Sequence, residues 1–231
     1  MSSTSSLANV QKLPRELRVL VNTSPLSTAC EKVVEAAFSL LDIRLVRMPM
    51  PPNRAIKTAT DGSADGIICR IDEFAQHYPE MLRISPQIFA LRAHVISKNL
   101  PIEVTKNSWA NLSPYFIAII NGHLYSTRAT QHFPKVHRLP NTAKAMDLIT
   151  RNRIDAAVLV SINIIRELTF NPKYRDITMS QEPIADIPLH FYLHKKHASI
   201  VKPLSSAFAE VHSSGLAEEL YQQVYRSQMN P

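Results

Sequence analysis

The chain has 231 residues, of which 45% are hydrophobic and 19% are charged, so a folded protein of one large domain or two small ones is expected. Only 4 residues are glycine, and their scattered positions exclude the glycine-rich loops that bind dinucleotides and phosphates. The formal net charge is +7, but the basic residues form no run or stripe, which argues against a nucleic-acid-binding protein.

The N-terminus and the cysteines bear on the cellular compartment. No stretch of about 18 apolar residues occurs, so the sequence predicts no membrane-spanning helix. The first six residues lack the basic start and apolar run of a signal peptide, which fits either a cytosolic protein or a secreted one whose signal was replaced by a methionine. Cys30 and Cys69 form no zinc motif, and both a disulfide and two buried thiols are open interpretations.

The first 70 residues predict strands alternating with helices. Apolar runs predict strands over 17–21, 43–48 and 67–69, and the intervening segments predict helices over 28–41 and 53–60. This order is typical of a parallel sheet covered by helices on both faces. Ligands of such sheets bind beyond the carboxyl ends of the strands, so the loops after the first and third strands are the expected binding loops.

A second block of the same order follows in the other half of the chain. Its expected strands are 115–120, 136–139 and 156–160, and its expected helices are 124–132 and 143–151. Residues 88–97 and 187–195 flank this block and are strand-like, so we interpret them as crossovers between two lobes. The cleft between two lobes is then the expected ligand site.

The crossovers divide the chain into predicted domains. The first lobe is expected to comprise residues 17–95 and 191–231, and the second, inserted lobe is expected to comprise residues 96–190. Residues 1–16 are polar and predict a flexible arm.

Four segments carry a resemblance to one protein family. They are the apolar strand at 17–21, the helix and Asp-Gly turns at 54–66, the segment 148–156 with Asn152 where glycine is usual, and the ending from Lys195-Lys-His to Ser214-Gly215. In this order they resemble segments of the type II periplasmic solute-binding proteins, in particular the amino-acid-binding family of ABC transporters. The resemblance spans residues 17–229.

The resemblance implies an α/β protein with the two-lobed type II periplasmic-binding-protein fold. Each lobe would be a mostly parallel sheet flanked by helices, and two crossover strands would join the lobes. The resemblance also implies hinge closure on a small polar ligand, delivery of that ligand to the membrane permease of an ABC transporter, and a periplasmic location. We expect a monomer with no cofactor and no catalytic residues.

Departures from the family pattern bear on the ligand. Asp155-Ala156 is not followed by the aspartate that usually holds an α-ammonium group, and Ser161 is the nearest polar residue. The family's glycine-hydroxyl loop is here Gly122 to Thr127, with its hydroxyls later than usual, and Arg70 lies earlier than the usual carboxylate-binding arginine. These departures predict a small anionic organic solute rather than an ordinary amino acid.

Polar residues at the expected strand ends are the candidate ligand-binding residues. Arg70 follows the third strand, where a guanidinium can grip a carboxylate or phosphate, and the alternative is a surface ion pair with Asp72 or Glu73. The remaining candidates are equally interpretable as helix caps and turn residues. The full set is Asn22, Thr23, Ser24, Arg70, Ser85, Tyr125, Ser126, Thr127, Asn141, Thr142 and Ser161.

The sequence predicts neither a metal site nor a catalytic centre. His190 and His194 are four residues apart on an expected strand, or about 13 Å, which is too far to share an ion. Motifs for serine hydrolases, zinc proteases and paired cysteine–histidine catalysis are absent. Two alternatives stay open: an enzyme of the same fold, such as a dehydratase acting on a small carboxylic acid, and a ligand-sensing module.

Overall fold

The computed structural model describes residues 13–22, 24–98 and 103–229, and these residues form two compact units. The first unit comprises residues 13–89 and 189–224, and the second comprises 90–188 and 225–229. Glu16, expected in the flexible arm, already belongs to the first strand, and residues 1–12 lie outside the described part. No described helix has the length and apolar character needed to span a membrane.

Strands and helices alternate along most of the chain. In order they are β1 (Glu16–Val21), α1 (Pro25–Ser39), β2 (Arg44–Pro49), α2 (Pro52–Thr60), β3 (Gly66–Arg70), α3 (Phe74–His77), β4 (Met81–Arg83), β5 (Phe89–Ser97), β6 (Ile117–Ile120), α4 (Leu124–Ala129), β7 (Val136–Leu139), α5 (Thr142–Thr150), β8 (Ala156–Val160), α6 (Ser161–Phe170), β9 (Thr178–Met179), β10 (Ala185–His194), α7 (Val201–Ser213) and α8 (Leu216–Met229). Short 3-10 helices occupy Trp109–Leu112, Pro172–Tyr174 and Lys195–Ile200.

The sheet of the first unit is built around β1. This strand pairs in parallel with β2 and β3, and β10 pairs antiparallel with β3 and β4. Because parallel strands point the same way, the carboxyl ends of β1, β2 and β3 lie at one edge of the sheet. Asn22 follows β1 and Arg70 ends β3, so both occupy that edge.

Burial of one helix stripe and a disulfide hold the first unit together. Helix α1 buries Val33, Val34 and Phe38 at the spacing expected for a core-facing stripe. Its Cys30 is bonded to Cys69 of β3, with the two Cα atoms 6.1 Å apart. Of the two interpretations that the sequence leaves open, a disulfide and two buried thiols, the structure therefore has the disulfide.

The second unit repeats the parallel arrangement. Strand β6 pairs in parallel with β7 and β8, and β5 pairs antiparallel with β8 and β9. Strands β6 and β8 are buried along their whole length, as expected for a parallel sheet covered on both faces. The turn after α5 places Asn152 at φ +53°, a left-handed conformation that explains why the similar family segment has glycine here.

The chain passes from the first unit to the second at the start of β5 and returns within β10. Both strands lie in the segments that the sequence marks as crossovers. The observed boundaries fall after residues 89 and 188, compared with the expected boundaries after 95 and 190. Ala93 to Ser97 of β5 pair with β8 and the last two of them also with β9, so this half of the strand belongs with the second unit.

Candidate functional site

Arg70 is a partly buried cation at the carboxyl end of β3. Its guanidinium lies 5.7 Å from the centre of the Phe74 ring, and its Nε is buried without a hydrogen-bond partner. No ion pair to Arg70 occurs among the residues that the structure describes. Burial lowers the pKa of Arg70 from its usual value, because the charged form loses hydration.

The nearest acidic residue in sequence has other partners. Asp72 Oδ1 accepts a hydrogen bond from Arg83 Nη1 at 2.7 Å, and His190 Nε2 lies 2.8 Å from the same oxygen. The alternative interpretation of Arg70 as the ion-pair partner of Asp72 is therefore wrong. The arginine that pairs with Asp72 is Arg83 of β4, which comes beside the loop because β4 and β3 both flank β10.

The residues after β1 cap the following helix. Ser24 Oγ accepts from the Ser27 amide at 3.1 Å, and Asn22 Oδ1 accepts from the Ser24 amide at 2.8 Å. Thr23 lies outside the described residues. The acceptors are the side-chain oxygens of Asn22 and Ser24, so these hydrogen bonds fix both side chains. They lie at the same edge of the sheet as Arg70.

The loop after β6 contains polar atoms that have lost water without gaining a partner. His123 Nδ1 and Tyr125 Oη are buried and make no hydrogen bond among the described residues. Burial lowers the pKa of His123 and raises that of Tyr125. Their rings lie 5.7 Å apart, and the Tyr125 ring is 6.4 Å from that of Trp109. Buried polar atoms without a partner are uncommon in folded proteins, so these two atoms are candidates for contact with a ligand.

The two hydroxyl residues that follow β6, Ser126 and Thr127, differ in their burial. Ser126 is fully buried and its Oγ donates to the His123 carbonyl at 3.0 Å, which makes it a structural bond of the short helix α4. Thr127 is partly buried and its amide donates to the His123 carbonyl. The serine therefore supports the loop, and the threonine hydroxyl is the one with partial access to solvent.

A pocket of about 330 Å³ opens where β6 and β7 end in the second unit. Asn141 caps α5 by accepting from the Lys144 amide at 2.9 Å, and Thr142 is buried in the first turn of that helix. Helix α6, which begins at Ser161, completes the pocket with Asn163, Arg166 and Glu167, and Ser161 itself is not part of the wall. The polar residues of its wall are His123, Asn141, Thr142, Asn163, Arg166 and Glu167.

Several of these residues were missed in the sequence. His123, Asn163 and Arg166 carry no motif, and helical periodicity alone does not predict that α6 turns Asn163 and Arg166 toward α5. Ser85 was selected, but it is exposed and precedes a cis peptide bond to Pro86. No cluster of three or more metal-ligating side chains occurs among the described residues.

No protein-family model and no curated protein matches the chain. Solved structures match at 13–15% identity. The GluR0 ligand-binding core in complex with L-glutamate matches with a TM-score of 0.70 and 14% identity, over 91% of this chain and 98% of that one. The unliganded, open L-cystine solute receptor of Neisseria gonorrhoeae matches with a TM-score of 0.69 and 15% identity, over 91% and 92% of the two chains.

An amino acid ABC transporter substrate-binding protein from Streptococcus pneumoniae, bound to L-arginine, matches with a TM-score of 0.65 and 13% identity, over 94% of this chain and 97% of that one. The expectation of a two-lobed type II periplasmic-binding-protein fold is therefore confirmed. At this level of identity the likeness establishes the fold, and the ligand must be argued from the residues.

Proposed function

We propose that the protein binds a small anionic organic solute and delivers it to an ABC-type membrane permease. The observation that carries this proposal is the partly buried guanidinium of Arg70, whose Nε has no partner. Proteins of the same fold include an amino acid ABC transporter substrate-binding protein and a cystine solute receptor, which supports a role in transport.

The charge of the ligand follows from the cost of burying Arg70. A guanidinium removed from water without a counter-ion is destabilising, and its lowered pKa reflects that penalty. A ligand carboxylate would offset the penalty through two parallel hydrogen bonds from the arginine fork. Asp72 does not do so, because it forms no ion pair with Arg70 and its Oδ1 lies 2.7 Å from Arg83 Nη1 and 2.8 Å from His190 Nε2.

The remaining candidate residues are proposed contacts for the uncharged parts of the solute. In the first unit they are Asn22, Thr23, Ser24 and Ser85. In the second unit they are Tyr125, Thr127, Asn141, Thr142 and Ser161, and Ser126 supports the loop that carries Tyr125 and Thr127. Tyr125 has the strongest support among them, because its hydroxyl is buried and without a partner.

The Cys30–Cys69 disulfide supports a periplasmic location, since disulfides persist in oxidising compartments and are reduced in the cytosol. We therefore propose that the protein is exported with a signal peptide that is later removed. We further propose that it acts as a monomer that docks on its permease.

The proposal is tested by a thermal-shift screen of amino acids and carboxylic acids, followed by calorimetric titration of every compound that raises the melting temperature. Arg70→Ala should weaken binding about tenfold to a hundredfold, because a charge-assisted bond pair is lost. Arg70→Lys should recover only part of the affinity, because lysine has no fork.

The matched control is Arg44→Ala, which removes the same charge from an exposed ion pair with Glu16 and should leave binding unchanged. Unchanged affinity in Arg70→Ala would contradict the proposal. Chemical conversion of a bound acid during the titration would instead support the enzyme alternative.

A further inference from the structure

We infer that Arg83 and His190 are positioning residues that hold the Asp72 carboxylate away from Arg70 and so keep the guanidinium free for an anion. This inference rests on the proposed function and adds to it. It concerns the loop of residues 71–73, which follows β3 directly and joins it to α3.

Asp72 is the carboxylate with the best opportunity to neutralise Arg70. It lies two residues further along the chain, and its side chain is 44% exposed, so core packing does not fix its orientation. Two opposite charges that meet in a partly buried site attract far more strongly than they would in water. A carboxylate left without partners at this position would be expected to pair with Arg70 and to compete with any anionic ligand.

Two side chains prevent that pairing by contacting the same carboxylate oxygen of Asp72. Arg83 Nη1 and His190 Nε2 lie 2.7 Å and 2.8 Å from Asp72 Oδ1. They come from different strands, β4 and β10, so they fix the carboxylate from two directions. The main chain of the loop is also held, because Tyr192 Oη lies 3.0 Å from the Ile71 carbonyl and 3.1 Å from the Asp72 carbonyl.

His190 is itself held in place. It is buried, it lies opposite Arg70 in the antiparallel register of β3 and β10, and its Nδ1 is 3.1 Å from the Ile84 carbonyl. Arg83 is 46% exposed and makes no other ion pair among the described residues. The exposure of Arg83 makes it the residue to substitute, because its removal leaves no cavity in the core.

The experiment records the ¹⁵N–¹Hε signal of Arg70 by NMR in the full-length protein, first without any ligand. In Arg83→Ala, Asp72 should turn to Arg70, so the Arg70 signal should move and its exchange with water should slow. In Arg83→Ala/Asp72→Asn the signal should return to the wild-type position. A purely structural role of Arg83 would not be reversed by removing the charge of Asp72.

Inorganic phosphate is then titrated against the same signal. We expect Arg83→Ala to weaken phosphate binding by about threefold to tenfold, which is the usual size of the interaction free energy between neighbouring residues. The double variant should restore the wild-type affinity for phosphate. Arg44→Ala is the matched control for a loss of one positive charge. An Arg70 signal that is identical in wild type and Arg83→Ala would overturn the inference.

The two failures are distinguishable. If phosphate does not move the Arg70 signal of the wild type, while Arg83→Ala does move it, the inference on Asp72 stands and the proposed anion site is wrong. If phosphate binds at Arg70 in both proteins with the same affinity, the proposed function stands and the positioning role of Arg83 is wrong.

Discussion

At the scale of single residues, Asp65 holds together two segments that are far apart in sequence. Its Oδ2 accepts from the Arg18 amide at 2.7 Å, and its Oδ1 accepts from Lys196 Nζ and His197 Nε2, both at 2.8 Å. The Asp-Gly turn before β3 and the Lys-Lys-His segment after β10 are therefore bound to each other.

Asp65→Asn should destabilise the protein by about 2–3 kcal/mol at neutral pH, because several charge-assisted hydrogen bonds converge on the carboxylate. Burial alone would raise the pKa of Asp65, but the hydrogen bonds from Lys196, the Arg18 amide and His197 hold it well below its usual range. The carboxylate therefore stabilises the folded state fully above the unfolded pKa of about 4, and the contribution is lost as the pH falls below that value.

Urea unfolding of wild type and Asp65→Asn at a series of pH values checks this prediction. The difference in unfolding free energy should be constant near neutral pH and should shrink as the pH is lowered through the acid range. A difference that is independent of pH would mean that the loss comes from packing and not from charge. Ser63→Ala serves as a control, because Ser63 bonds the exposed carboxylate of Asp61 in the same turn through its amide.

The sequence predicts where a residue lies along a strand, because the backbone determines that position. It does not predict which side chains form hydrogen bonds or ion pairs with each other. Arg70 lies at the strand end that the pattern predicts, because strand length fixes it. The partners of Asp72 could not be predicted, because Arg83 and His190 reach it through pairings with β10 that are formed by residues about 110 positions apart. Local spacing contains no information on such contacts.

At the scale of elements, the disulfide joins helix α1 to strand β3 immediately before Arg70. It closes a loop with a sequence separation of 39 residues. Replacement of both cysteines by alanine should therefore lower stability by about 2–4 kcal/mol, mainly because the unfolded chain gains conformational freedom. The fold should persist, because α1 still buries its apolar stripe.

Melting curves with and without dithiothreitol measure this effect. Reductant should lower the melting temperature of the wild type toward that of the double variant and should leave the variant unchanged. A wild type that is insensitive to reductant under unfolding conditions would mean that the two cysteines are not bonded in the protein.

The elements with strong apolar patterns lie where the sequence predicts them, whereas helix α3 and strand β9 were missed. Helices α1, α5 and α7 carry apolar residues at helical spacing, and the buried strands are continuous apolar runs. Helix α3 and strand β9 contain four and two residues, which is too short for any periodicity to be recognised. Their formation depends on neighbours in space, as the pairing of β9 with β5 illustrates.

At the scale of the whole molecule, the chain consists of two similar α/β blocks. Candidate binding residues lie at the strand ends of both blocks, but no sequence motif identifies the ligand. Order and type of the elements were enough to predict the fold, because strands that alternate with helices permit few topologies. The composition of the site was only partly predictable. The pocket of the second unit depends on which face of α6 meets α5, and the sequence does not specify that face.

The last prediction concerns the ammonium group of the solute. Ser161 begins α6 and is the polar residue nearest to Asp155-Ala156, after which the resembled family usually has an aspartate for the α-ammonium, and it brings no charge. Ser161 is not part of the pocket wall; the acidic residue there is Glu167, whose Oε2 accepts from Asn171 Nδ2 at 2.7 Å. A ligand ammonium buried without a partner costs several kcal/mol, about as much as breaking a buried ion pair. Acids that lack the amine should therefore bind more tightly than the corresponding amino acids.

Calorimetric titration of the pairs glutarate and L-glutamate, and succinate and L-aspartate, measures this preference directly. Ser161→Asp should raise the affinity for the amino acid relative to the amine-free acid by about tenfold or more, because the new carboxylate would pair with the ammonium. Ser161→Asn introduces a side chain of the same shape as aspartate without the charge and should not change this preference. The aspartate is compatible with the fold, since an acidic residue in the first turn of a helix interacts favourably with the helix dipole. Submicromolar binding of an unmodified α-amino acid to the wild type would contradict the prediction and would mean that another acidic group holds the ammonium.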